Sequence, residues 1–133
     1  MLDHLGGPLG IGPYAGRRDE VLAEWRRSIT EVAACDNVVL KLGGIGMAIH
    51  GMGWHRTGGA TADELVATWG EPIRFCIETF GPDRCMFESN FPVDGVSCTY
   101  ADLWAAFEQI ADGYSPSERD DLFAGTATRA YRL

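Results

Sequence analysis

The stretch Arg84-Cys-Met-Phe-Glu-Ser-Asn-Phe-Pro-Val-Asp94 concentrates the side chains most able to do chemistry in this chain of 133 residues. The apolar run Cys85, Met86 and Phe87 breaks into polar residues just before Pro92, the pattern of a buried strand that delivers side chains to a site. Pro92 disfavours helix at Phe91, so the strand is predicted to end near Ser89 or Asn90. Side chains alternate along a strand, which puts Glu88 and Asn90 on one face and Ser89 on the other. A carboxylate held at Glu88 with a raised pKa would serve as an acid or base; beside a neighbouring cation it would be a structural partner instead. Asn90 carries a carboxamide, which takes up no proton near neutral pH, so it is no base; it lines the site or caps the following turn. Asp94 follows in the next loop, where it binds substrate or shapes the turn before Gly95.

These residues need elements to hold them. Val38-Val-Leu-Lys-Leu42 reads as the preceding strand, with Val39, Lys41 and Gly43 on one face, so Lys41 and Glu88 are expected to meet across neighbouring strands as a partly buried pair. Met1 to His4 reads as the end of an earlier strand, and Gly6 to Gly16 is too rich in glycine and proline for regular structure. Leu22, Trp25, Ile29 and Val32 form one stripe of a helix from Arg18 to about Ala34. Thr61-Ala-Asp-Glu64 has capping-box spacing, and Pro72 is placed to begin a helix that carries Ile73, Cys76, Ile77 and Phe80 on one side. Thr99 is the expected cap of a helix with Leu103, Trp104, Phe107, Ile110 and Ala111 on its apolar face. Ser115-Pro-Ser-Glu118 opens another helix, and a last one runs from Thr126 to Leu133. Strands alternating with helices predict one α/β domain over residues 1–133, built on a parallel sheet.

The loop Gly43 to Gly59 mixes glycines with Met47, Ile49, Met52 and Trp54, as a lid or site wall does. Its His50 and His55 share no helical face and match no metal motif, so both are expected in solvent. Gly43-Gly-Ile-Gly46 follows a strand but lacks the Gly-x-Gly-x-x-Gly order, and no helix opens directly after it, which argues against a phosphate loop.

Composition narrows the field further. A hydrophobic fraction of 46% with 23% charged residues is globular, and 19 acidic against 11 basic side chains give a net charge of −8, which offers no attraction to nucleic acid or an anionic membrane. Four cysteines with no Cys-x-x-Cys read as buried free thiols. No 18-residue apolar window and no signal-peptide pattern are present, so a cytoplasmic location is expected.

Four segments together carry a family resemblance: Leu2-Asp-His-Leu-Gly-Gly-Pro8, Asn37-Val-Val-Leu-Lys-Leu-Gly-Gly44, Met86-Phe-Glu-Ser-Asn-Phe-Pro-Val93 and Phe123-Ala-Gly-Thr-Ala-Thr-Arg-Ala-Tyr-Arg-Leu133. In order and spacing the chain resembles the last three strands and closing helices of the amidohydrolase-related TIM-barrel hydrolases, with the lactonase-like branch nearest. The resemblance implies the C-terminal part of a (β/α)8 barrel, about three strand-helix units, with its site at the C-terminal ends of the strands. It implies hydrolysis of a lactone, ester or amide bond in a small carboxylated substrate, with His4 as a site residue at a strand end. The alternatives are decarboxylation, as in other members, or a truncated non-catalytic piece that self-associates. In the metal-dependent members of the family a divalent metal such as zinc or manganese is bound in part by a His-x-His that this chain lacks. Where many relatives carry Gly-Ser-Asp before the aromatic residue and proline, this chain has Glu88-Ser89-Asn90. No metal is therefore expected here. Glu88 becomes the carboxylate that activates water, Asn90 lines the site, and Lys41 and His4 bind or polarise substrate oxygens. The expected partners are the small-molecule substrate and either further copies of the chain or an N-terminal barrel half.

Overall fold

The computed structural model describes all 133 residues. Three segments lie side by side and parallel: Leu2, bridged to Leu40, then β1 (Leu40–Leu42), then β2 (Cys85–Phe87). β1 and β2 pair in the register Leu40 with Cys85, Lys41 with Met86 and Leu42 with Phe87. Helices fill the connections, as parallel strands require. These are α1 (Arg18–Ala33) in the first connection, then α2 (Trp54–Thr57) and α3 (Ala62–Phe80) in the second. After β2 come α4 (Tyr100–Ala111), α5 (Pro116–Asp120), a π-helical turn over Asp121–Gly125 and α6 (Thr126–Tyr131). No helix is long and apolar enough to cross a membrane.

The core lies between this small sheet and the helices. Leu40, Leu42, Cys85 and Phe87 from the strands meet Trp25 and Ile29 of α1, Leu65, Trp69, Ile73 and Ile77 of α3, and Leu103, Phe107 and Ile110 of α4, all buried. Each large side chain removed from water in this way contributes roughly 1.5–3 kcal/mol. Phe87 stacks on Phe107 with ring centroids 4.5 Å apart. Cys76, Cys85 and Cys98 are buried free thiols within this packing, whereas Cys35 is exposed.

The capping patterns are realised. Thr61 accepts the Glu64 N–H while the Glu64 carboxylate accepts that of Thr61; Ser115 and Glu118 repeat the arrangement, and the Thr99 hydroxyl accepts from the Asp102 N–H. Pro72 is a correction. It lies inside α3 rather than at a helix start, because the Thr61 box begins the helix ten residues earlier. Pro72 has no N–H to give the Thr68 carbonyl, and the Arg18 guanidinium donates to that oxygen instead at 2.8 Å. The last strand is also shorter than predicted. It ends at Phe87, with one more rung from the Glu88 N–H to the Leu42 carbonyl at 3.2 Å, because Asn90 takes a left-handed φ of 51° that no strand accommodates.

Candidate active site

His4 reaches the site through an unusual turn. Leu2 is fixed beside β1 by Leu2 N–H to Val39 O at 2.8 Å and Lys41 N–H to Leu2 O at 2.9 Å. The chain then bends through His4 and Leu5, both at φ 56°. Left-handed backbone is costly for side-chain-bearing residues and concentrates at functional sites. Here the turn is held by Leu5, whose side chain is buried and whose carbonyl accepts the Trp25 indole N–H at 2.6 Å. Lys41 comes from the middle of β1, and Glu88 from the first position beyond β2.

The three side chains converge. His4 Nδ1 lies 2.5 Å from Glu88 Oε1, and Lys41 Nζ lies 3.3 Å from Glu88 Oε2 and 3.3 Å from Asp3 Oδ1. The pKa of Lys41 is raised, by the Tyr131 side chain first and by Glu88 and Asp3 after it, with partial burial opposing them. Lys41 therefore stays an ammonium and acts as counter-ion to Glu88. The Glu88 side chain is 15% exposed with both oxygens engaged, whereas that of His4 is 34% exposed and bonds to protein through Nδ1 alone. When Nδ1 donates to a carboxylate, Nε2 carries the lone pair, so the group presented outward for proton transfer is the imidazole.

Glycines make this approach possible. A Cβ on Gly43 would fall 2.2 Å from the Glu88 carbonyl and 2.3 Å from its Cγ; one on Gly44, at φ 68°, would fall 2.8 Å from the His4 ring; one on Gly46 would fall 2.9 Å from Asp94 Cβ. Gly43-Gly-Ile-Gly46 is thus a strip along which three site side chains pack directly on backbone, with Ile45 anchoring it in the core.

Asn90 and Asp94 form a second, separate unit. Asn90 Nδ2 donates to Asp94 Oδ1 at 2.8 Å, and Gly46 N–H donates to Asp94 Oδ2 at 2.9 Å. Asp94 is fully buried, so its expected contact with substrate gives way to a role as a strut between the loop after β2 and the glycine strip. Burial raises its pKa, opposed by the hydrogen bonds from Gly46 and Asn90. Glu88 and Asn90 do not share a face, because strand alternation stops before Asn90. Lys41, expected to bind substrate, is engaged by Glu88 and Asp3, and no motif or spacing points to Asp3 or Tyr131 beside it. His55 is exposed as expected, but His50 is not: it is 2% exposed, with Nδ1 2.7 Å from the Pro8 carbonyl and Nε2 2.9 Å from the Gly44 carbonyl. The spacing of the two histidines carries no hint of that, since both partners are main-chain carbonyls, one from the start of the same loop and one from the first loop.

Known proteins share the sequence pattern and the fold. A sequence model of the amidohydrolases matches residues 1–133. The L-fucono-1,5-lactonase of Burkholderia multivorans is 35% identical over 138 aligned residues, which take in 100% of this chain and 43% of the lactonase. Two crystal structures of a Burkholderia multivorans amidohydrolase superimpose on it. The one with bound HEPES gives a TM-score of 0.82 at 34% identity over 99% of this chain and 44% of that one, and the one with bound zinc 0.80 at 32% over 98% and 43%. The chain thus spans less than half the length of these relatives, and its three parallel units are part of their barrel.

Proposed function

The chain belongs to the amidohydrolase family, and from that premise we propose that it supplies the acid–base part of a hydrolase site that opens a lactone, or a kindred ester or amide bond, in a small carboxylated substrate. The family and the lactonase relative support the class of reaction. The observation that carries the mechanism is the 2.5 Å contact between His4 Nδ1 and Glu88 Oε1. It supports Glu88 as the residue that orients the base, and His4 as the base.

In this reading His4 Nε2 takes a proton from water as the water oxygen adds to the lactone carbonyl carbon. The resulting imidazolium lies against the Glu88 carboxylate, which stabilises its charge. Collapse of the tetrahedral adduct breaks the ring C–O bond, and the proton on Nε2 passes to the departing alkoxide. The product is a hydroxy acid, and His4 returns to its starting state. Lys41 stays against the second Glu88 oxygen throughout.

A zinc-dependent version of this step finds no support in the donors this chain brings together. No three histidine, cysteine, aspartate or glutamate side chains are grouped as metal ligands; His4 and Glu88 face each other, and an ammonium lies against the second carboxylate oxygen. Asn90 and Asp94 are tied to one another and to Gly46.

The test is release of acid from L-fucono-1,5-lactone and simpler δ-lactones, followed by titration at constant pH. It uses the chain joined to the N-terminal part of the lactonase relative, and the chain alone. A folded joined protein that hydrolyses none of them overturns the reading. A second reading, that these 133 residues by themselves are non-catalytic and self-associate, draws on the outer edges beyond Leu2 and β2, where no strand lies alongside.

A further inference from the structure

A cavity of about 200 Å³ lies apart from the His4, Lys41 and Glu88 group and shares no residue with it. It is enclosed by the first loop, the start of α1 and the loop around His50. The chain carries 19 acidic and 11 basic side chains, yet the cavity is lined by Arg18 and His50 and by no carboxylate. The rest of its wall includes Val21, Leu22, Met52 and Tyr14. We propose that this cavity binds a small organic carboxylate with an apolar body, Arg18 taking the carboxylate and Val21, Leu22 and Met52 enclosing the remainder.

Arg18 is a cation in an uncommon position. It makes no salt bridge. One amino group donates to the Thr68 carbonyl that Pro72 leaves free, and the guanidinium lies over the Trp69 ring at 4.7 Å. Those two contacts fix its plane and leave Nε and Nη1 without a protein acceptor. Partial burial disfavours its charge. It also occupies the first position of a 16-residue helix, where the helix dipole disfavours a cation, and Arg17 before it supplies no side-chain cap. A bound carboxylate would relieve both, through a charge-assisted hydrogen bond from a guanidinium N–H that has no protein acceptor.

The walls are already in place. The His50 ring sits between the Pro8 and Gly44 carbonyls, with Nδ1 2.7 Å from the first and Nε2 2.9 Å from the second, so the first loop and the loop after β1 meet at the cavity. Gly10 N–H donates to the Ile49 carbonyl at 2.8 Å, and the two loops cross so closely that a Cβ on Gly10 would sit 2.0 Å from the His50 carbonyl and one on Gly51 2.2 Å from that of Gly10. Fixed walls lower the ordering cost of binding. Drug-sized pockets run from about 300 to 1,000 Å³, so this one suits a smaller ligand.

The test titrates the chain with benzoate, and separately with benzyl alcohol as a neutral molecule of matching shape, following the Gly10 and Gly51 amide and Arg18 Nε–H resonances. Saturable benzoate binding is expected, at least 10-fold tighter than benzyl alcohol. Arg18→Met should weaken benzoate at least 10-fold, and Val21→Asp, a half-exposed position where aspartate suits the start of a helix, should do the same while the fold is kept. Arg17→Met should leave binding unchanged. No saturable shift up to 20-millimolar benzoate, equal binding of the two probes, or full retention of benzoate in the folded Val21→Asp protein each overturns the proposal, whether or not the Arg18 variant folds.

Discussion

Glu88 Oε1 lies 2.5 Å from His4 Nδ1, across 84 residues of sequence, and the remaining Glu88 oxygen faces Lys41. One carboxylate therefore meets two partners: the imidazole of His4 on one oxygen and the ammonium of Lys41 on the other. The arrangement needs all three parallel segments, because each contributes one member.

Replacing His4 by glycine removes the base without backbone strain, since glycine adopts φ 56° freely, and leaves an imidazole-sized space against Glu88. In the joined barrel, His4→Gly should lower kcat/KM for lactone opening by about 10²–10⁴-fold. Free imidazole should restore part of the loss, and no restoration by imidazole would remove His4 from the role of base. Glu88→Gln should cost less, on the order of 10-fold to 10²-fold, because the amide oxygen still accepts from Nδ1 while its NH2 group meets Lys41 and gives the imidazolium no counter-charge.

The glycine strip predicts a stability effect with a site signature. Gly44→Ala places a methyl group 2.8 Å from the His4 ring at a φ of 68°. The clash and the strain together should cost about 2–4 kcal/mol in urea unfolding. The His4 ring resonances should shift more than those of His55, which is remote in the loop. A loss below about 0.5 kcal/mol would show that His4 does not pack on this backbone.

Much of this was legible in the sequence because the signals were local. The Thr61 and Ser115 boxes, the Thr99 cap, the apolar stripes on α1 and α4 and the meeting of Lys41 with Glu88 all follow from periodicity or fixed offsets. The readings that changed depend on groups that only the fold brings together. Pro72 is tolerated inside α3 because Arg18, 50 residues before Thr68, satisfies the freed carbonyl. His50 is buried because two carbonyls from separate loops reach its ring. Glu88 meets His4 because His4 turns toward it through a left-handed bend that nothing in Asp3-His4-Leu5 announces, and on that contact rests the proposal that Glu88 orients the base.

The Asp94 strut predicts a pH dependence. Its folded pKa is raised above the ordinary aspartate value of about 3.9, so its contribution to stability is fully present below that value and is lost as pH rises through the raised one. Asp94→Asn should remove that component, so the difference between wild-type and variant unfolding free energies should change across this range and level off above it. The variant can keep its contacts, because its oxygen accepts from Gly46 and its amide donates to a flipped Asn90. Asp94→Ala leaves the Gly46 N–H and Asn90 unpaired and should cost about 2–4 kcal/mol. Parallel pH curves for wild type and Asp94→Asn would contradict the assignment.

Thiol reactivity should report the packing. Burial pushes the Cys85 thiol up to about 12 and that of Cys98 up to about 11, and Cys76 is raised in the same way. Cys35 is exposed. With an aromatic disulfide reagent at pH 8, one thiol per chain should react promptly and three only on unfolding; Cys35→Ser should abolish the fast phase. Two or more fast thiols would show that the sheet and α3 separate readily.

Self-association is the remaining expectation, and it follows from unpaired structure. β1 has neighbours on both sides, but Leu2 and β2 have no strand on their outer sides. Near the end of β2 the chain also exposes Val93 (55%), Val96 (60%) and Tyr100 (54%). Open parallel edges and bare apolar side chains both favour pairing with further chain. The isolated 133-residue chain should therefore elute from size exclusion as a dimer or larger species in a concentration-dependent way. Joining it to the N-terminal part of a barrel relative should reduce that tendency, because the added strands cover the same edges. Val96→Lys separates the two causes: if the apolar surface drives association the variant should shift toward monomer, and if the edges do it should remain associated. A sharp monomer peak for the unmodified chain at 100-micromolar concentration, with cooperative unfolding, would show that neither edge nor patch recruits a second copy.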